Sequence, residues 1–316
     1  MIVNNYSHYK NQNKMKYAIT GSAGHISKLI TIELVKAGHE LTVITSSKDR
    51  VKQIESLGAK AAVGSVEDVL FLTKAFNGAD AVYTMVPPVI NVQDWKGHIE
   101  QVGKNYAEAI KINNIKFVVN LSSIGAHLTE GAGPVTGIHR AEIALNALKD
   151  VNIKHLRPSY FYYNLLATIG LIKNMGIIGN NYGFSEKKFA LAAPADIAAV
   201  ATQALLSLNF TGHSIQYIAS DEVSTDDIAA VLGKAIDKPG LKWVTFTDEQ
   251  ALKGALQAGL PEELAKNYIE MGHALYTGKL GEDYWKHRPA TLGKVKLADF
   301  AKTFAEAYKA EEVAVH

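Results

Sequence analysis

The apolar run Tyr17-Ala18-Ile19 ends at Thr20, a turn holding Gly21 and Gly24 follows, and Ile26, Leu29, Ile30, Leu34 and Ala37 then recur at helical spacing. This pattern predicts a strand, a glycine turn and a helix over 24–37 that stops at Gly38. The same alternation continues along the chain. Strands are expected at 41–45, 61–63, 81–85, 116–121 and 153–157, and helices at 48–57, 67–76, 94–113 and 134–149. Strands alternating with helices at this interval make a parallel sheet with right-handed crossovers, covered on both faces. The expected fold is α/β, a doubly wound sheet of the Rossmann plan, in which ligands bind at the carboxyl ends of the strands.

From Pro158 the rhythm changes. An apolar stretch opened by Tyr160-Phe161-Tyr162-Tyr163-Asn164 runs to Ile178, Phe189–Ala192 and Ile215–Ile218 read as strands, and Pro194 suits the first turn of a helix over 195–207. Ser224-x-x-Asp227 and Thr247-x-x-Gln250 resemble capping boxes, and Gly259-Leu260-Pro261 interrupts a helix-rich final third. No flexible linker separates the halves. The expected organisation is an extension over 1–14, a dinucleotide-binding domain over 15–160 and a smaller, mainly helical substrate lobe over 161–316, with segments near 190–220 returning to the main sheet.

A glycine turn between strand and helix leaves the first N–H groups of the helix unpaired and aimed at the turn, where they and the helix dipole favour an anion such as a pyrophosphate. Residues Gly21, Ser22, Ala23, Gly24, His25 and Ile26 are the expected cradle, with Gly21 permitting the turn and Gly24 the close approach of phosphate. The spacing is G-x-x-G-x-x-S, not G-x-G-x-x-G, so the signal lies in the five strand–helix units that follow more than in the two glycines. The second strand ends in Thr45-Ser46-Ser47-Lys48-Asp49-Arg50, with no acid at the tip to take a ribose 2′-hydroxyl. Hydroxyls with Lys48 and Arg50 favour the 2′-phosphate of NADP(H) over NAD(H); the alternative is a Ser47 helix cap beside two solvated cations.

Composition narrows the partners. Thirty-three basic and thirty-one acidic residues leave a near-neutral chain, which calls for neither nucleic acid nor an anionic membrane. The absence of cysteine excludes disulfides, thiolate metal sites and thiol nucleophiles. No apolar run reaches the roughly 18 residues of a membrane span, and the polar first 14 residues lack the apolar core of a signal peptide. A cytoplasmic protein with a small-molecule substrate is expected, and nothing in the pattern sets an oligomeric state. No His-Glu-x-x-His, carboxylate cluster or nucleophile elbow occurs, so no metal is expected. Tyr284-Trp285-Lys286-His287-Arg288 is a basic aromatic run, expected at the surface or in a lobe contact.

The stretches ITGSAGHISKLITIELVKAGHELTVIT, LGAKAAVGSVEDVLFLTKAFNGADAVYTMVPP, FVVNLSSIGAH, HRAEIALNAL and HLRPSYFYYNLL resemble, in this order, the NmrA-like family of atypical short-chain dehydrogenases. The resemblance implies NAD(P) binding and an activity of the quinone- or dye-reductase kind, or a regulator that holds the dinucleotide without turnover; a nucleotide-sugar epimerase or dehydratase is the weaker alternative. Ser27 stands where the third glycine of the turn is usual, which is expected to loosen the helix against the sheet. Ser65 is placed near the adenine, with Asp68 at the start of a helix.

Ordinary short-chain dehydrogenases transfer protons through Tyr-x-x-x-Lys. Here Thr136 and Arg140 occupy those places and cannot do that work, since a threonine hydroxyl is a far weaker acid and arginine stays protonated. Hydride delivery to an electron-poor acceptor needs less help from a protein acid. Strand ends supply the remaining candidates: Met85, Val86 and Pro87 beside the ribose groups, Ser122 at the nicotinamide, and Pro158 and Ser159 at the same end. Ser123, His127, Tyr162, Tyr163 and Asn164 are candidates for substrate contact, and His139 and Tyr160 for proton donation. Against these stand plain structural roles: a satisfied histidine for His139, core packing for the aromatic run, turn chemistry for the serines.

Overall fold

The computed structural model describes residues 14–313. The extension expected over 1–14 lies outside the described residues except for Lys14, whose ammonium pairs with Glu40 at 2.7 Å. Among the described residues there are twelve strands: β1 (Lys16–Ile19), β2 (Glu40–Thr45), β3 (Lys60–Val63), β4 (Ala81–Thr84), β5 (Phe117–Leu121), β6 (Asn152–Pro158), β7 (Tyr160–Phe161), β8 (Ile178–Asn180), β9 (Phe189–Ala192), β10 (His213–Ile218), β11 (Asp221–Val223) and β12 (Trp243–Thr245). Seven of them form one parallel sheet in the order β10-β6-β5-β4-β1-β2-β3. The order reverses at β1, with β2 on one side and β4 on the other. That reversal opens the crevice where this plan binds its ligand.

The helices of the sheet are α1 (Ser27–Lys36), α2 (Val51–Ser56), α3 (Val69–Ala75), α4 (Trp95–Ile112), α5 (Pro134–Asn146) and, after the short α6 (Ile169–Met175) of the lobe, α7 (Pro194–Ser207). On one face Ile30 and Leu34 of α1 and Ile197, Ala201 and Leu205 of α7 bury against Ile19 and Tyr83. On the other, Val102, Tyr106 and Ala109 of α4 bury against Ala18, Val82 and Val118. Adjacent strand residues thus serve opposite layers, as the pleat requires.

Only part of the 190–220 segment returns to the main sheet. β10 pairs with β6 along its whole length, and α7 covers the sheet, whereas β9 lies between β11 and β7 in a separate three-stranded sheet. β8 and β12 form a two-stranded ribbon that periodicity did not reveal, both being three residues long. The lobe is completed by α8 (Thr225–Ala235), α9 (Asp248–Gln257), α10 (Glu262–Tyr276), α11 (Glu282–Lys286) and α12 (Leu297–Val313). Both expected capping boxes are formed, at Ser224 and Thr247. The lobe core gathers Tyr162, Phe189, Ile228, Leu275, Tyr284, Phe300 and Phe304.

Between α5 and the sheet lies a buried polar chain. The Thr84 hydroxyl donates to Asn120 Oδ1 (2.9 Å), Asn120 Nδ2 to His155 Nδ1 (3.0 Å), and His155 Nε2 to Asn146 Oδ1 (2.9 Å). This order of donors makes His155 neutral with its proton on Nε2. Burial pushes its pKa down to about 4, although Glu142, 3.9 Å away, pulls the other way. A folded-state pKa below the unfolded value means that stability is full above about pH 6.5 and is lost as pH falls towards 4, worth ~2 kcal/mol by pH 5. Urea unfolding at pH 7 and pH 5 is therefore expected to show a smaller loss for His155→Gln than for the native chain. Equal losses in the two proteins would contradict the neutral, buried histidine.

Candidate dinucleotide site

The carboxyl ends of β1, β2, β4 and β5 open into a cleft of about 710 Å³, which runs from Ser46, Ser47, Arg50, Ser65 and Glu67 past the Gly21–Ile26 turn to Leu121, Phe161, Tyr163 and Pro194. At the turn, Gly21 (φ 89°) and Ser22 (φ 58°) both take the left-handed conformation. Ser22 tolerates it because its N–H donates to the Ile44 carbonyl (3.0 Å) and its hydroxyl to Thr45 Oγ1 (3.0 Å), which ties the turn to the tip of β2. A Cβ on Gly21 would come within 2.6 Å of the Ser27 hydroxyl and 2.9 Å of the Met85 side chain. On Gly24 its nearest neighbour would be the Gly21 carbonyl, at 3.1 Å. Among the described residues the N–H groups of His25 and Ile26 have no acceptor, the condition expected of a helix start that receives an anion.

Ser27 does not loosen the helix. It is buried and its hydroxyl donates to the Thr20 carbonyl (2.8 Å), which pins the start of α1 to the end of β1. Thr20 in turn holds the end of β4, accepting from Met85 N (2.8 Å), and the Tyr106 hydroxyl donates to the Met85 carbonyl (2.7 Å). Tyr83, two residues earlier, is fully buried, lines the cleft, and has a hydroxyl without a hydrogen-bond partner. A buried unpaired hydroxyl is costly unless a ligand pairs it, so this wall fits a polar group of a bound dinucleotide.

Of the residues singled out by sequence, Gly21, Ser22, Gly24, His25, Ile26, Thr45, Ser46, Ser47, Arg50, Ser65, Met85, Pro87 and Tyr163 line this cleft. Ser65 does so while its Oγ accepts from Glu67 N, and Asp68 caps α3. Ala23 is buried beneath the turn, where its carbonyl lies 3.5 Å from Arg50 Nη1. Lys48 is exposed at the start of a 3₁₀ turn and outside the cleft, because that turn points it away while Arg50 swings back. Val86 instead packs against the α4 side of the sheet.

The β5 and β6 tips are placed differently from expectation. The buried Ser122 hydroxyl donates to Glu142 Oε1, and Ser123 Oγ donates to the Ile124 carbonyl (3.0 Å). Pro158 and Ser159 are buried behind the cleft wall, where Ser159 N bonds the Ile218 carbonyl of the added strand β10. His139 shares a 2.8 Å hydrogen bond through Nδ1 with the Ala126 carbonyl and so braces the 122–133 loop. His127 does not line the cleft, and burial lowers its pKa while the charge of Asp283 opposes that shift. Thr136 is buried, and Arg140 pairs with Glu130 (2.7 Å) and Glu100 (3.6 Å), so this pair stands apart from the cleft.

The aromatic run divides. Tyr163 stacks on His25 (4.5 Å between centroids, 19° between planes). Tyr162 stacks on Phe300 (5.1 Å) inside the lobe, and Asn164 is exposed. Tyr160 turns away from the cleft: it accepts from the Tyr182 hydroxyl (2.9 Å), and burial pushes its phenol up to about 12. Phe161, part of the aromatic run read as a pocket wall, lines the cleft, whereas sequence reasoning missed Tyr83, His98, Leu121 and Pro194. Tyr83 and Leu121 were detectable as strand-end residues, whereas Pro194 reaches the cleft only because α7 packs on α1.

Seven parallel strands reversing at β1, with a glycine turn and free helix amides at that reversal, define a dinucleotide-binding Rossmann protein. The chain belongs to the NAD(P)H-binding family, whose family model matches residues 21–207, in keeping with its resemblance to the NmrA-like atypical dehydrogenases. It is similar to an NAD(P)H azoreductase of Xenophilus azovorans, with 25% identity over 94% of this chain and 98% of that protein. In structure it is similar to an NADPH-dependent quinone oxidoreductase of Escherichia coli solved with NADPH (TM-score 0.77, 19% identity, 91% of this chain and 99% of that chain). A triphenylmethane reductase of Citrobacter sp. has the same fold (TM-score 0.74, 17% identity, 92% of this chain and 99% of that chain). The likeness to the two solved structures is one of fold. Among the described residues no group of three or more His, Asp or Glu side chains stands together as a metal site, and no helix is long and apolar enough to cross a membrane.

Proposed function

We propose that this protein is an NADPH-dependent reductase of small, planar, electron-poor molecules such as quinones or azo dyes. The observation that carries it is the cleft itself: a dinucleotide cradle continuous with an apolar and aromatic chamber of Leu121, Phe161, Tyr163 and Pro194, with no tyrosine–lysine proton pair beside it. The azoreductase relative, matched along nearly the whole chain, supports the same chemistry. Gly21 to Ile26 would hold the pyrophosphate, Ser46, Ser47 and Arg50 the adenosine phosphate end, and Tyr83 and Met85 the nicotinamide half. When bound, the reduced dinucleotide supplies a hydride. Tyr163, held against His25, and Phe161 provide flat apolar surface for a planar acceptor. The protonatable groups of the cleft are His25, Glu67, Tyr83, His98 and Tyr163, so the proton of the reduced product comes from these or from water. Tyr160 and His139 are engaged elsewhere.

The test is oxidation of NADPH, followed by its absorbance, with a panel of quinones, azo dyes and triphenylmethane dyes. Turnover of at least one class is expected; tight NADPH binding with no oxidation across the panel would instead identify a dinucleotide-binding sensor. Cofactor choice rests on Arg50, the cation that lines the cleft beside three hydroxyl residues and no acid at the β2 tip. Arg50→Ala is expected to lower the NADPH-to-NADH affinity ratio about tenfold, ~1.4 kcal/mol, and Lys48→Ala to change it less than about twofold. Titration calorimetry with both cofactors measures it, and an unchanged ratio in Arg50→Ala would refute the phosphate role.

A further inference from the structure

A second, partly open pocket, of about 230 Å³, lies on the other side of the same strand tips. The two are separated by β7. Its consecutive residues Tyr160 and Phe161 point to opposite faces, as strand residues must, so Phe161 lines the cleft and Tyr160 the second pocket. Leu121 and Ile124 divide in the same way across the end of β5.

The walls are rings. Phe189 meets Tyr160 edge-on (6.0 Å) and Phe184 at a tilt (5.7 Å), Phe184 stacks on Tyr276 (6.5 Å), and Tyr284 meets Trp285 edge-on (5.0 Å). Tyr276 and Trp285 are about half exposed at the mouth (53% and 44%), where the basic aromatic run of the sequence begins. Lys187 and Lys188 complete the lining. Two acids act on Lys188, Glu222 and Asp227; Arg288 grips Glu222 with two hydrogen bonds (2.7 and 2.9 Å), the Tyr284 hydroxyl donates to it (2.5 Å), and Asp227 is engaged in the Ser224 cap. Neither lysine has an ion-pair partner among the described residues.

A ring-walled pocket with two exposed ammonium groups at its edge, neither held in a direct ion pair among the described residues, selects a flat apolar body carrying a negative charge. We infer that this pocket is a binding site for a one- or two-ring aromatic anion, separate from the dinucleotide cleft and able to fill while the cleft is occupied. Its volume, below the roughly 300–1,000 Å³ typical of drug-sized ligands, limits the occupant to that size.

The test uses naphthalene-2-sulfonate as probe, with neutral naphthalene-2-sulfonamide as its match in shape, titrated calorimetrically into the full chain with and without saturating NADPH. One sulfonate per chain is expected, with Kd changed less than threefold by NADPH. The sulfonamide, and the sulfonate on Lys187→Ala/Lys188→Ala, are each expected to bind at least tenfold more weakly. Both lysines are exposed, and unchanged NADPH affinity of the double variant shows that it is folded. Absence of binding at millimolar probe, displacement in proportion to NADPH concentration, or native affinity in the double variant would each overturn the inference.

Discussion

Gly24→Asp is expected to raise the Kd for NADPH at least about a hundredfold, ~2.7 kcal/mol, while the melting temperature stays within about 2 °C of the native value. The substitution is tolerable for the fold. A Cβ at Gly24 meets only the Gly21 carbonyl, at 3.1 Å, and Gly24 is not among the glycines with positive φ. An acid before the first turn of α1 even complements the helix dipole. What changes is the field at the anion cradle: a carboxylate stands beside the free N–H groups of His25 and Ile26, where a pyrophosphate would otherwise be received. Gly21 would be a poorer test, because its φ of 89° and the 2.6 Å approach to Ser27 make any side chain there disruptive in itself. Calorimetric titration with thermal melting separates the two effects. Affinity within threefold of native would remove the turn from the dinucleotide site.

Arg157→Met is expected to lower the melting temperature by about 10 °C, and the double variant Glu142→Leu/Arg157→Met to regain more than half of that loss. Arg157 and Glu142 are 5% and 4% exposed and form a two-pronged pair, Nε to Oε1 at 3.0 Å and Nη2 to Oε2 at 2.6 Å. The Ser122 hydroxyl adds a bond to Oε1, and Arg157 Nη1 donates to Tyr217, whose hydroxyl donates to Asp283 (2.5 Å). Removing the guanidinium leaves a buried carboxylate with one hydroxyl donor, a loss of ~3–5 kcal/mol. For a chain of this size each kcal/mol moves the midpoint by roughly 2–4 °C. Removing both charges leaves neither uncompensated, hence the recovery. Equal melting points for the single and double variants would show that the pair acts through something other than its buried charge.

This pair also explains why part of the site was misplaced by sequence reasoning. Ser122 follows the last residue of β5, where the plan puts ligand-facing groups, but Glu142 on α5 draws its hydroxyl into the interior. His139 is taken in the same manner by the Ala126 carbonyl. A side chain's neighbours in space decide whether it is available to a ligand, and neither α5 nor the 122–133 loop announces in its own letters which strand tip it will meet. Lys48 and Arg50 make the same point at shorter range. Both are basic residues after β2, yet the 3₁₀ turn begun at Ser47 leaves only Arg50 on the cleft.

Local pattern by itself determined the strands β1 to β6, the helices between them and the position of the glycine turn between β1 and α1. These depend on period-two and period-3.6 burial and on glycine at the turn, all of which are written in adjacent residues. It also put Thr136 and Arg140, by the resemblance, where ordinary relatives carry tyrosine and lysine. The tertiary structure alone decided that β10 closes the sheet beside β6 while β9 does not join it, that Tyr83, Phe161 and Pro194 wall the cleft, and that Tyr160 faces a second pocket. Each of these follows from packing between segments tens of residues or more apart. Strand alternation says that Tyr160 and Phe161 face opposite ways; which of the two lines the cleft was decided by the lobe that folds back over them.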